Sequence, residues 1–76
     1  MLMHMYTSVF GPVKCMTEPA PDSRFAAVVV LTSSVDTSKH LLRQICPGTD
    51  AVEIDALARA YAWALSTYPR PADRAA

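Results

Sequence analysis

The segment Arg24 to Thr32, Arg-Phe-Ala-Ala-Val-Val-Val-Leu-Thr, constrains this chain more than any other. Read as a β-strand, it places Phe25, Ala27, Val29 and Leu31 on one face and Ala26, Val28 and Val30 on the other, so both faces are apolar. A strand of that kind needs cover on two sides. The chain has 76 residues, and a domain of this size buries only about 60% of the surface its unfolded form exposes. One face can be covered by a helix; the other is then left for a loop, a second subunit or a partner.

The covering helix is expected from Asp50 to Tyr68. Thr49-Asp50 with Glu53 three residues on is a variant of the capping-box pattern. Ile54, Leu57, Tyr61, Leu65 and Tyr68 follow at spacings of three and four, which predicts a core-facing stripe. Ala56, Ala58, Ala60, Ala62 and Ala64 raise helix propensity and let the helix approach a sheet closely. Pro69-Arg70-Pro71 forbids continuation. At about 100° per residue, Val52, Ala56, Arg59 and Trp63 fall on the side opposite the predicted stripe. Trp and Arg are enriched at binding hot spots, so these four are the candidate partner-binding residues, with Trp63→Ala expected to cost a complex about 2 kcal/mol or more. The competing reading is that Trp63 is covered by its own chain.

The remaining segments complete a small sheet. Met5 to Phe10 and Val13 to Met16 are rich in β-formers around Gly11-Pro12, and predict one bulged edge strand or two short ones, with Pro12 favouring an edge. Thr17 to Ser23 reads as a proline-stiffened connector. Residues 39–46 fit a strand or a short helix capped by Asp36; a strand suits the architecture better, since a two-stranded ribbon is barely stable. Pro47-Gly48 is expected to end it. The predicted fold is thus α+β, about three antiparallel strands in β-β-β-α order with the C-terminal helix on one face. The chain forms a single domain, 1–76, with flexible ends at 1–4 and 70–76.

Charge narrows function. Seven basic and seven acidic residues cancel, which removes the electrostatic footprint of a phosphate-backbone binder and also argues against an acidic nucleic-acid mimic. No apolar run reaches the ~18 residues of a membrane span. With an opening Met-Leu-Met-His-Met too short for a secretory leader, the chain reads as cytoplasmic. There Cys15 and Cys46 are expected as free thiols, a bridge requiring adjacent strands.

Candidate chemistry is sparse. Met1, Met3, His4 and Met5 are ligand types for monovalent copper, but read better as a free start. Cys15, Cys46, His4 and His40 match no zinc spacing. A Cys46 and His40 catalytic pair would need an orienting group and a pocket. Glu53 and Asp55 point to different helix faces, and only Gly11 and Gly48 are available for a phosphate loop.

Over about a third of the chain, Pro47-Gly48-Thr49 leading into an alanine-rich helix after a short antiparallel sheet resembles the last part of a double-stranded RNA-binding domain. The resemblance implies shared topology. It does not carry RNA binding, because that family places a lysine cluster where this chain has Asp50, Glu53 and Asp55.

The expectation from sequence is a non-enzymatic protein-interaction module without cofactor or metal, acting by binding to a larger protein. Its size and lack of chemistry suit bacterial or phage-encoded inhibitors, including those directed at host defence complexes. An obligate homodimer and a minimal thiol or metal protein are the alternatives.

Overall fold

The computed structural model describes residues 2–71. Among them, strands β1 (Met3–Ser8), β2 (Gly11–Ala20), β3 (Arg24–Thr32) and β4 (His40–Asp50) precede one helix, α1 (Glu53–Thr67). The strands form an antiparallel meander in the order β1-β2-β3-β4. The fold is α+β as expected, with four strands where about three were predicted.

The extra strand comes from a hairpin at Gly11. Val9 and Phe10 form a two-residue loop between the paired Ser8 and Gly11. The Ser8 hydroxyl closes it, donating to the Gly11 carbonyl at 2.8 Å and accepting from the Phe10 N–H at 3.0 Å. Gly11 has φ +125°, and a Cβ there would lie 3.3 Å from the Thr32 carbonyl oxygen, so glycine is required twice over.

β2 is an interior strand, and it runs through Ala20 where a connector from Thr17 was expected. Its prolines are accommodated by stagger. Pro12 pairs only with β1 and Pro19 only with β3, so each lies where β2 has one neighbour and its missing N–H breaks no ladder. The turn into β3 is the short Pro21–Ser23 helical turn, with Asp22 and Ser23 left-handed at φ 63° and 58°.

Residues 40–46 belong to a strand, Lys39 lies in the loop before it, and Asp36 caps no helix. Its carboxylate accepts from the Ser38 N–H at 3.0 Å and the Ser38 hydroxyl at 2.6 Å, bending the loop before β4. Nor does Pro47-Gly48 terminate the strand. Val28 pairs with Ile45 and Ala26 with Thr49, so Cys46, Pro47 and Gly48 together face Ala27 as a bulge and pairing resumes to Asp50.

The helix begins at Glu53, three residues after the expected start. Val52 occupies the N-cap without a side-chain cap bond, because the predicted capping groups bond elsewhere. The Glu53 carboxylate accepts from the Thr17 hydroxyl at 2.6 Å and the Leu2 N–H at 3.0 Å. Asp50 accepts from Arg59 Nε at 2.9 Å. These bonds tie the helix to β2 and to the chain start, so Met3 and His4 lie in β1 where a free end was predicted. Residues 72–76 of the expected tail lie outside the described residues. Arg70 stacks its guanidinium over Tyr6 and Tyr61, 5.5 and 5.4 Å from the ring centroids.

The core joins α1 to the sheet face carrying Val13, Cys15, Ala27, Val29, Leu31 and Cys46. The helix meets it through Ala56, Ala60 and Ala64, all fully buried. The predicted stripe is therefore corrected in all but Tyr68, which is buried: Ile54 is 57% exposed, and Leu57, Tyr61 and Leu65 are only half-buried. Successive fourth residues advance by about 40° around a helix, so the alanine row lies between the two sides distinguished in the sequence. The sheet contacts the smallest side chains, and the larger ones form rims: Leu57 and Tyr61 on one flank, Trp63 on the other. Close approach gains more contact than a wide stripe of bulky residues held farther from the strands.

Candidate functional site

Ala56 is fully buried beneath the helix and is a core residue, not a surface one. Trp63 packs against the core cluster with its ring edge-on to Tyr68, centroids 6.2 Å apart. Arg59 is a brace: Nε donates to Asp50 and a terminal nitrogen to the Pro47 carbonyl, which clamps the β4 bulge to the helix. A Cβ on Gly48 would meet that guanidinium at 3.1 Å, and Gly48 has φ +86°. Val52 is exposed. The four candidates thus do not form one open patch. The grouping failed because the helix presents its alanines to the sheet, which draws Ala56 inside and Trp63 to the rim.

The thiols are separated by β3. Cys15 on β2 and Cys46 on β4 share the helix-facing side of the sheet, but two strand spacings are about 9.6 Å and a disulfide needs Cα atoms within about 7 Å. Both are free and buried. Burial, and secondarily the neighbouring Cys46, pushes the Cys15 thiol up to about 11. Burial also raises Cys46, against the opposing influence of Arg59. Thiols so shifted remain protonated and weakly nucleophilic at neutral pH. His40 lies six residues from Cys46 along β4, roughly 20 Å in an extended strand, so the two cannot act as a catalytic pair. Alternation along β1 sends Met3 and Met5 to one face and His4 to the other, which divides the soft-ligand cluster. Among the described residues no group of three His, Cys, Asp or Glu side chains is placed to hold a metal ion. His4 instead lies edge-on to Tyr61, centroids 4.8 Å apart.

Two surfaces are open. A shallow groove of about 260 Å³ runs along the outer flank of α1, lined by His4, Ile54, Leu57, Ala58, Tyr61 and Arg70. The second is the sheet face away from the helix, over which no described element lies. Pairing of Met3 with Met16, Met16 with Val28 and Val28 with Ile45 draws an entirely apolar row across all four strands. The adjacent row is Met5, Lys14, Val30 and Arg43. Val28 and Val30 are fully buried while Met3 and Ile45 are 56% and 57% exposed. The two valines are therefore roofed by the long side chains of their neighbours, whose outer surfaces meet solvent.

This face was visible in the sequence as the second apolar side of Arg24 to Thr32. Its width was not, because the pairings that add Met3, Met16 and Ile45 are set by register. Comparison with protein-family models, curated proteins and solved structures finds no match for this chain. Among the described residues no helix is long and apolar enough to cross a membrane.

Proposed function

We propose that this protein is a non-enzymatic protein-interaction module whose docking surface is the uncovered sheet face. The observation that supports this reading is the apolar row Met3, Met16, Val28 and Ile45, flanked by Met5 in the next row, with Met3, Met5 and Ile45 exposed. Methionine-rich surfaces adapt to partners because the side chain is unbranched and polarizable. Contiguous exposed apolar surface marks interaction sites more often than isolated residues do. A chain that works this way acts by occupying a surface of a larger protein, as an inhibitor or accessory subunit does. A bacterial or phage inhibitor of a host complex is one such role. The test is retention of proteins from a bacterial lysate on the immobilised chain and on a Met3→Arg, Ile45→Arg variant of matched melting temperature. Loss of the retained proteins by the variant is expected. Identical retention by both would refute the assignment of this face.

A self-association reading is favoured by β4, an edge strand of 11 residues that exposes Leu41, Leu42 and Ile45. Long apolar edges template pairing with another chain. A clean monomer by light scattering at micromolar concentration would remove it.

A further inference from the structure

The net charge of zero conceals an asymmetry between the two sides of the sheet. Among the described strand residues the outer face carries Lys14, Arg24 and Arg43 against a single carboxylate, Glu18, assigned to that face by pairing with Val30, Ala20, Val30 and Ala26 respectively. Glu18 is engaged by Arg43 in an ion pair. Arg24 is held by Thr49, Nε donating to the hydroxyl at 2.7 Å and a terminal nitrogen to the carbonyl at 2.8 Å, and no carboxylate neutralises it among the described residues. Lys14 makes no ion pair or hydrogen bond there. It lies half-buried between Met5 and Val30, in the row next to the apolar one.

Two other carboxylates, Asp50 and Glu53, are engaged elsewhere. Asp50 is paired with Arg59 and Glu53 bonds Thr17 and Leu2, both at the helix side. The outer face is thus apolar in one row and cationic in the next, with an ammonium left uncompensated where a docked partner would cover it. Covering Lys14 with an apolar or cationic surface would leave a desolvated charge unpaired, at a cost that a carboxylate opposite would remove. The same consideration disfavours face-to-face packing of two copies, which would bring like charges together.

Resting on the reading that this face is the docking surface, we propose that its partner is an acidic, apolar protein segment. Its apolar side chains lie on Met3, Met16 and Ile45, above the buried Val28, and its carboxylates face Lys14, with Arg43 in the same row. The apolar row distinguishes this from phosphate recognition, which would not need it.

The test uses fluorescence anisotropy with the full chain and three labelled probes: a peptide of leucine, alanine and glutamate, the same peptide with each glutamate replaced by lysine, and an oligothymidylate. Binding to the acidic peptide is expected to exceed binding to the lysine peptide by about tenfold or more, and to weaken between about 0.05 M and about 0.5 M salt. Lys14→Glu should lose about tenfold for the acidic peptide and gain for the lysine peptide, while Ile45→Ser should weaken both. Equal affinity for the two peptides, or tighter binding of the oligothymidylate, would overturn the proposal. Loss with Ile45→Ser but not with Lys14→Glu would reject the acidic partner and leave the docking face standing; loss with neither variant would reject both.

Discussion

Replacement of Ala60 by leucine isolates the contact on which the fold rests. Ala60 has no exposure and belongs to the cluster with Val13, Cys15, Val29 and Tyr68. Leucine adds three carbon atoms where the helix is closest to the sheet. Helix propensity changes by a few tenths of a kcal/mol at most, so the effect is one of packing. Overfilling a close-packed core costs about 1–3 kcal/mol. Here the upper part of that range is expected, because moving the helix outward also loosens Leu57 and Trp63 at the rims. About 2–3 kcal/mol in a domain of this length lowers the melting temperature by roughly 10–20 °C. Urea and thermal denaturation followed by circular dichroism would read it. Ala62→Leu, on the exposed side of the same helix, is the control and should stay within about 0.5 kcal/mol of the parent. Ile54→Ala should likewise cost less than about 1 kcal/mol, since Ile54 is 57% exposed. A neutral Ala60→Leu with a costly Ile54→Ala would refute the alanine-faced packing and restore the bulky stripe as the buried one.

Gly48→Ala should destabilise by about 1–2 kcal/mol, because φ +86° strains a side chain and the added Cβ presses on Arg59; the urea midpoint measures it, and an unchanged midpoint would exclude the clamp. The Thr17 hydroxyl, foremost, holds the Glu53 carboxyl below its ordinary 4.5. Its stabilisation is thus present above that value and lost as pH falls through the lower native one, and Thr17→Val should flatten the acid limb of the stability profile. Cys15, raised from 9.0 to about 11, works in the opposite sense. Stability should fall as pH rises from 9 toward 11, and a thiol reagent at neutral pH should label neither cysteine quickly until urea is added. Trp63→Ala should lower the melting temperature, since the ring packs on Tyr68 and the core; an unchanged melting temperature would return Trp63 to the surface.

Local chemistry alone determined several elements of this protein. The two-faced apolar run set β3 from Arg24 to Thr32 with no revision, and the proline after Tyr68 set the helix end. These are decided within a few residues of backbone, where periodicity and the missing proline N–H act directly. Pairing and approach decided the rest. β2 could continue past Pro12 and Pro19 because its neighbours are staggered, and β4 could pass Pro47-Gly48 because Arg59 reaches across from the helix to hold the bulge. The inward side of α1 was settled by how near the sheet it could come, a property of Ala27, Ala56, Ala60 and Ala64 together that a hydrophobicity pattern weights too lightly. The same register assembled Met3, Met16, Val28 and Ile45, residues from four separate strands, into one row beside Lys14. That juxtaposition depends on which strands pair and in what alignment, so it exists only in the folded chain.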